Sequence, residues 1–180
     1  ALVYVALIPL FIYYFRDIGW KKIAFIVVSI LIMAIIARYL PKWILPSPSR
    51  GRFFIENPLF FEGGIFTRIG TGLVSLLYYL KLLVYPHPLV FYYGYDMIPV
   101  VGIFNIWAIL SGLIHLALFV VAVLNIRKKS IWSFGILFYL ISISMFSNIV
   151  IPAMGIVAER YLFSAIFGFS VLIFELYAVI

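Results

Sequence analysis

Long apolar runs, separated by short clusters of charge, proline and glycine, set the pattern of this chain. The first run covers residues 1–15 and is closed by Arg16, Asp17, Lys21 and Lys22 around Gly19. A second covers 23–37, and Arg38, Tyr39, Lys42 and Trp43 form an interfacial belt at its end. The stretch 41–67 is the longest polar one, and Pro46, Pro48, Gly51, Pro58, Gly63 and Gly64 break up any helix there. Further helices are predicted over 69–85, 104–124, 131–151 and 161–180. Residues 97–126 carry no charge, His115 aside, and residues 130–158 carry none. Each run exceeds the roughly 20 residues that a helix needs to cross the hydrocarbon core. The expected fold is therefore all-α, a polytopic transmembrane bundle of about six hydrophobic helices. It reads as a single transmembrane domain over 1–180, with inter-helix loops at 38–68 and 86–103.

Composition strengthens this reading. Of 180 residues, 67% are hydrophobic and 11% charged, whereas a soluble domain carries about a quarter charged residues. The net charge of +7 points to basic cytoplasmic loops and contacts with lipid headgroups rather than to nucleic acid. With no cysteine, disulfides and thiolate metal sites are excluded. Because the chain opens and closes inside apolar runs, it is expected to be an excerpt of a longer integral membrane protein. Arg127, Lys128 and Lys129 in a tight turn predict a cytoplasmic side there, which puts the connector around Asp96 and the loop at Glu159 together on the external face. The side of 41–67 stays open: it is cytoplasmic if the third helix crosses, external if that helix is re-entrant or interfacial.

Chemistry is confined to few residues. Glu159 and Arg160 interrupt a long uncharged region at a membrane boundary. They suit either a solvated helix cap or an arginine fork on a headgroup phosphate. Asp96 stands among Phe91, Tyr92, Tyr93 and Tyr95, as a turn residue beside aromatic anchors or as a carboxylate facing a sugar. Asn57 and Pro58, with Glu56, Glu62, Thr67 and Arg68, form a polar cluster ahead of a helix. His87, between two prolines, and His115 are too few for a metal site, and none is expected. His115 suits a hydrogen bond to a neighbouring helix. Glu175 is an ionisable group inside an apolar run, and Lys81 can snorkel to the interface.

Two stretches carry a family resemblance. The first runs Asn57-Pro58, Thr67-Arg68, Tyr78-Tyr79-Leu80, Leu82-Leu83, Pro86, Leu89, Tyr95-Asp96 and Ile98-Pro99. The second is Ala158-Glu159-Arg160-Tyr161-Leu162-Phe163 followed by Gly168-Phe169. Together they resemble the membrane domain of the transmembrane-and-tetratricopeptide-repeat O-mannosyltransferase family and its prokaryotic relatives, which are GT-C glycosyltransferases. The family tends to have Tyr at the place of Phe163, Pro-Ser at Ala165-Ile166 and Asp-Trp at Tyr95-Asp96. The resemblance implies a prokaryotic plasma (inner) membrane enzyme that transfers a sugar, mannose, from a polyprenyl-phosphate donor to a protein or glycan hydroxyl outside. It implies no cofactor besides that donor, and a catalytic acidic loop upstream of this fragment. Arg160 would bind the donor phosphate with Glu159 orienting it, Arg68 would assist if its loop is external, and Asp96 would face sugar or acceptor. Asn57, His87 and Tyr95 are further candidates. The competing classes are a transporter and a non-catalytic lipid-binding scaffold, for which polar groups inside helices would matter most.

Overall fold

A computed structural model describes residues 3–44, 51–61 and 63–179, the side chains of Lys42 and Val179 excepted. Pro46, Pro48 and Glu62 lie outside the described residues. The chain is all-α, with α1 Val3–Phe15, α2 Trp20–Ile44, α3 Ile65–Val84, α4 Ile106–Asn125, α5 Ile131–Ser144 and α6 Phe163–Val179. Four stretches are long and apolar enough to cross a membrane: Trp20–Pro41, Ile65–Val84, Ile106–Lys128 and Glu159–Ala178. The chain is thus a membrane protein. Packing divides it into two compact units, Ala1–Gly51 and Arg52–Ile180.

In the first unit α1 and α2 form a helical pair. No described side chain of α2 is buried, as suits a helix apolar all round. This helix continues to Ile44 instead of stopping near residue 37 and takes Pro41 into its last turn, where the missing N–H leaves the Ala37 carbonyl without its usual donor. The interfacial belt Arg38, Tyr39 and Trp43 is therefore helical, and the loop expected over 38–68 begins later.

In the second unit the core is built from Tyr79, Ile98, Phe134, Ile143, Ile156 and Val157, all almost fully buried. Helices α5 and α6 meet at two glycines: a Cβ on Gly135 would lie 3.0 Å from the Gly168 carbonyl oxygen, and one on Gly168 would lie 2.8 Å from the Gly135 carbonyl. Small residues here let the backbones approach, as in membrane helix pairs generally. Helix α4 is tied to α3 by Ser111, whose hydroxyl donates to the Leu73 carbonyl. It is tied to α5 by His115, whose Nε2 lies 3.0 Å from the Tyr139 hydroxyl. The histidine thus has the inter-helix role expected of it.

Two further boundaries differ from expectation, both for local reasons. Helix α3 starts at Ile65, capped by Gly64, so Thr67 and Arg68 stand in its first turn rather than in a loop. Helix α5 stops at Ser144, although the apolar sequence continues to Ile151. There the Ser147 hydroxyl donates to the Ser144 carbonyl at 2.8 Å, and Asn148 adopts a left-handed φ of 61°. Side chains that bond nearby backbone offer the chain an alternative to the helix, and asparagine tolerates that region better than apolar residues do.

Candidate functional site

Three irregular segments, 51–64, 85–105 and 145–158, interlock around α3. Asn57 and Asn148, both fully buried, form the knot. The Asn57 amide donates to Asn148 Oδ1 at 3.0 Å and to the Ala153 carbonyl at 2.8 Å, while its own oxygen caps the 3-10 turn Pro58–Phe60 through Leu59 N–H. Asn148 Oδ1 also accepts from Ala153 N–H at 2.9 Å, and its amide donates to the Ile156 carbonyl at 2.6 Å. Tyr93 and Val157 form an antiparallel bridge, and Tyr95 N–H donates to the Ile55 carbonyl at 2.9 Å. Gly94 permits that last approach, since a Cβ there would fall 2.6 Å from the Ile55 oxygen. These bonds satisfy backbone groups of the knot from within it, as backbone near lipid requires.

The connector runs alongside α3. Tyr93 lies against Tyr78, with ring centroids 6.3 Å apart. Eight residues later Val101 exchanges two hydrogen bonds with the Thr71 hydroxyl, at 3.0 and 3.2 Å. The Tyr79 hydroxyl, in the same helix, accepts from Ala158 N–H at 3.3 Å. The segments before and after α3 are hydrogen-bonded to each other, so the chain leaves through α3 and the connector brings it back along the helix.

Glu159 and Arg160 open a 3-10 turn, Glu159–Leu162, that leads into α6. They act on the connector separately. Glu159 Oε1 accepts from Val90 N–H, and among the described residues it makes no ion pair with Arg160. In this geometry the acid is taken up by an amide rather than by the neighbouring guanidinium. The Arg160 guanidinium donates to the carbonyls of Phe91 at 3.4 Å and Met154 at 3.2 Å, and to the Tyr161 hydroxyl at 3.2 Å. It also sits 4.8 Å from the ring centroids of both Phe91 and Tyr161. Tyr161 in turn stacks on Phe146 at 4.1 Å. These three hydrogen bonds are long for N–H···O contacts and leave two of the five guanidinium donors for another acceptor. Arg160 is exposed, as a phosphate ligand must be. Tyr93, beside them, donates its hydroxyl to the Pro88 carbonyl. Burial, and next the Glu159 carboxylate, hold its phenol above the ordinary range, so it remains a neutral donor.

The other candidates are placed less centrally. Asp96 is exposed, with a left-handed φ of 65°, in a turn where Met97 N–H donates to the Gly94 carbonyl. Its carboxylate makes no hydrogen bond or ion pair among the described residues, and is open to solvent or ligand. Tyr95 packs its ring 5.1 Å from that of Phe54. His87 is exposed, 5.8 Å from the Tyr85 ring. Arg68 is half-buried, and its Nε is enclosed without a hydrogen-bond partner. Glu175 is half-buried in α6. Asn57 belongs to the knot and is too enclosed to reach a ligand. Among the described residues no group of three histidines, cysteines or acids could hold a metal. Sequence reasoning missed Asn148, which stands in an uncharged run but was open to suspicion as an asparagine where a bilayer helix would need none.

The helices and the knot define a polytopic α-helical membrane protein with one polar loop cluster. Comparison with protein-family models, curated proteins and solved structures finds no match.

Proposed function

We propose that this chain is the donor-binding part of a GT-C-like membrane glycosyltransferase that takes a sugar from a polyprenyl-phosphate carrier on the external face. The observation that carries the reading is an exposed arginine on the same loop cluster as an exposed, unpartnered carboxylate. Arg160, flanked by two aromatic rings and retaining free donors, suits a lipid phosphate at interfacial depth. There it would offset charge developing on the leaving group. Asp96 suits a contact with the sugar or acceptor hydroxyl. The family resemblance lies within residues 52–169, inside the second compact unit. No residue of this chain is assigned the role of catalytic base. Mannose, a protein or glycan acceptor and a prokaryotic inner membrane belong to this proposal through the resemblance.

A second reading has an observation of its own. Glu159 and Arg160 both clasp the connector, as a purely structural latch would, which suits a non-catalytic lipid-binding scaffold. Retention of polyprenyl-phosphate mannose by the full-length protein in liposomes, read together with sugar transfer, separates the two, since a scaffold retains the donor without turnover. Arg160→Lys keeps the charge and loses the planar fork. The transferase reading expects retention to fall about tenfold, the value of one charge-assisted hydrogen bond. Unchanged retention would return Arg160 to the latch.

A further inference from the structure

Besides Arg68, helix α3 holds a cation that the loop cluster does not use. Lys81, in its last turn, lines a cavity of about 360 Å³ with Val74, Leu77, Tyr78, Pro99 and Trp107. The walls are apolar, formed by α3 on one side and by the connector and first turn of α4 on the other. The Lys81 ammonium lies 5.8 Å from the Tyr78 ring centroid, and among the described residues it makes no ion pair. An apolar cleft with one unneutralised cation is complementary to an anionic amphiphile, and its size falls at the lower end of small-molecule sites.

Depth decides which amphiphile. The segments flanking α3 hydrogen-bond to one another, and the irregular connector runs along it from Tyr78 to Thr71. Irregular backbone is tolerated at membrane depth only where protein covers it, and a position of α3 and the connector together in the bilayer interface, instead of a crossing by Ile65–Val84, suits this arrangement. Trp107 stands in the first turn of α4, where that helix enters the membrane, and Trp is enriched at that level. Lys81 is then level with the lipid phosphates. We propose that this cleft binds the headgroup of an anionic phospholipid, its phosphate on Lys81 and its first methylenes against Val74, Leu77 and Trp107. The proposal is independent of the transferase reading, since it needs neither Arg160 nor Asp96.

The test is native mass spectrometry of the full chain released from nanodiscs of mixed phosphatidylglycerol and phosphatidylcholine. The wild type is expected to retain phosphatidylglycerol preferentially. Lys81→Gln should reduce that preference about five-fold, the value of about 1 kcal/mol per basic residue at a membrane surface. Lys128→Gln, which removes a charge in the α4–α5 turn, should leave it intact. Leu77→Trp fills the apolar wall, keeps Lys81, and should also reduce retention. An unchanged preference in Lys81→Gln would overturn the proposal. So would displacement of the lipid by millimolar inorganic phosphate, because the apolar wall would then contribute nothing.

Discussion

The two ends of the α4–α5 pair solve the same problem in opposite ways. At one end Asn125 leads into a 3-10 turn, Ile126–Lys128, and Lys129 closes it with a left-handed φ of 48°. Three exposed cations keep that turn in water, and it needs little from the rest of the fold. At the other end the charges, Glu56, Asp96, Glu159 and Arg160 among them, are scattered and of both signs, and the chain is irregular over long stretches. There two buried asparagines, a β-bridge and a threonine hydroxyl satisfy the backbone internally. Hydration anchors the first end and hydrogen bonding the second. The lesson is that a charge cluster marks where a membrane protein meets water, whereas an uncharged polar cluster marks where it must be folded to meet the bilayer.

The largest effect expected from this contrast is on stability. Asn148→Ala strands the Ala153 N–H, the Ile156 carbonyl and one Asn57 N–H, and puts alanine at positive φ. At roughly 1 kcal/mol or more for each stranded group, the loss should be about 3 kcal/mol in thermal unfolding in detergent. Lys128→Ala at the opposite turn should stay within about 0.5 kcal/mol. Comparable losses from the two would break the comparison.

Tyr93→Phe gives a smaller effect, about 1 kcal/mol for one hydrogen bond, with a pH signature. The folded phenol titrates above its unfolded value. Its contribution is therefore complete below the unfolded value of about 10 and is lost as pH rises through the folded one. The stability gap between wild type and Tyr93→Phe should thus narrow above about pH 10. A gap constant with pH would remove Tyr93 from the buried network.

Asp96→Asn should have the least effect on folding, within about 0.5 kcal/mol, because asparagine also accepts the left-handed turn. Sugar transfer by the same variant, at matched folded amounts, should fall about tenfold if the carboxylate meets sugar or acceptor. Full transfer would leave Asp96 as a turn residue.

Much of the architecture was legible in the sequence because each charge-free run holds an apolar helix, although 97–105 and 145–158 within those runs are irregular. Helices α1, α4 and α6 sit close to where periodicity and charge place them. The misplaced ends, at Ile44, Ile65 and Ser144, share a cause: they depend on individual hydrogen bonds and caps rather than on hydrophobicity. The same is true of the site. Glu159, Arg160 and Asp96 stood out as isolated charges, but their partners, Val90 N–H and the Phe91 and Met154 carbonyls, are backbone groups that sequence does not distinguish. Asn148 and Lys81 were legible only as residue types. Their importance comes from Asn57, more than ninety residues away, and from a cleft that α4 completes.

Side-specific labelling tests the central claim, that all three knotted segments share one membrane face opposite the basic turn. The chain has no cysteine, so single cysteines at the exposed positions Ile55, Leu89, Val150 and Lys128 can be read without background. In sealed vesicles of known orientation, an impermeant thiol reagent is expected to label Ile55, Leu89 and Val150 from one side and Lys128 from the other. Labelling of Ile55 and Leu89 from opposite sides would mean that α3 crosses the bilayer, and would contradict the account.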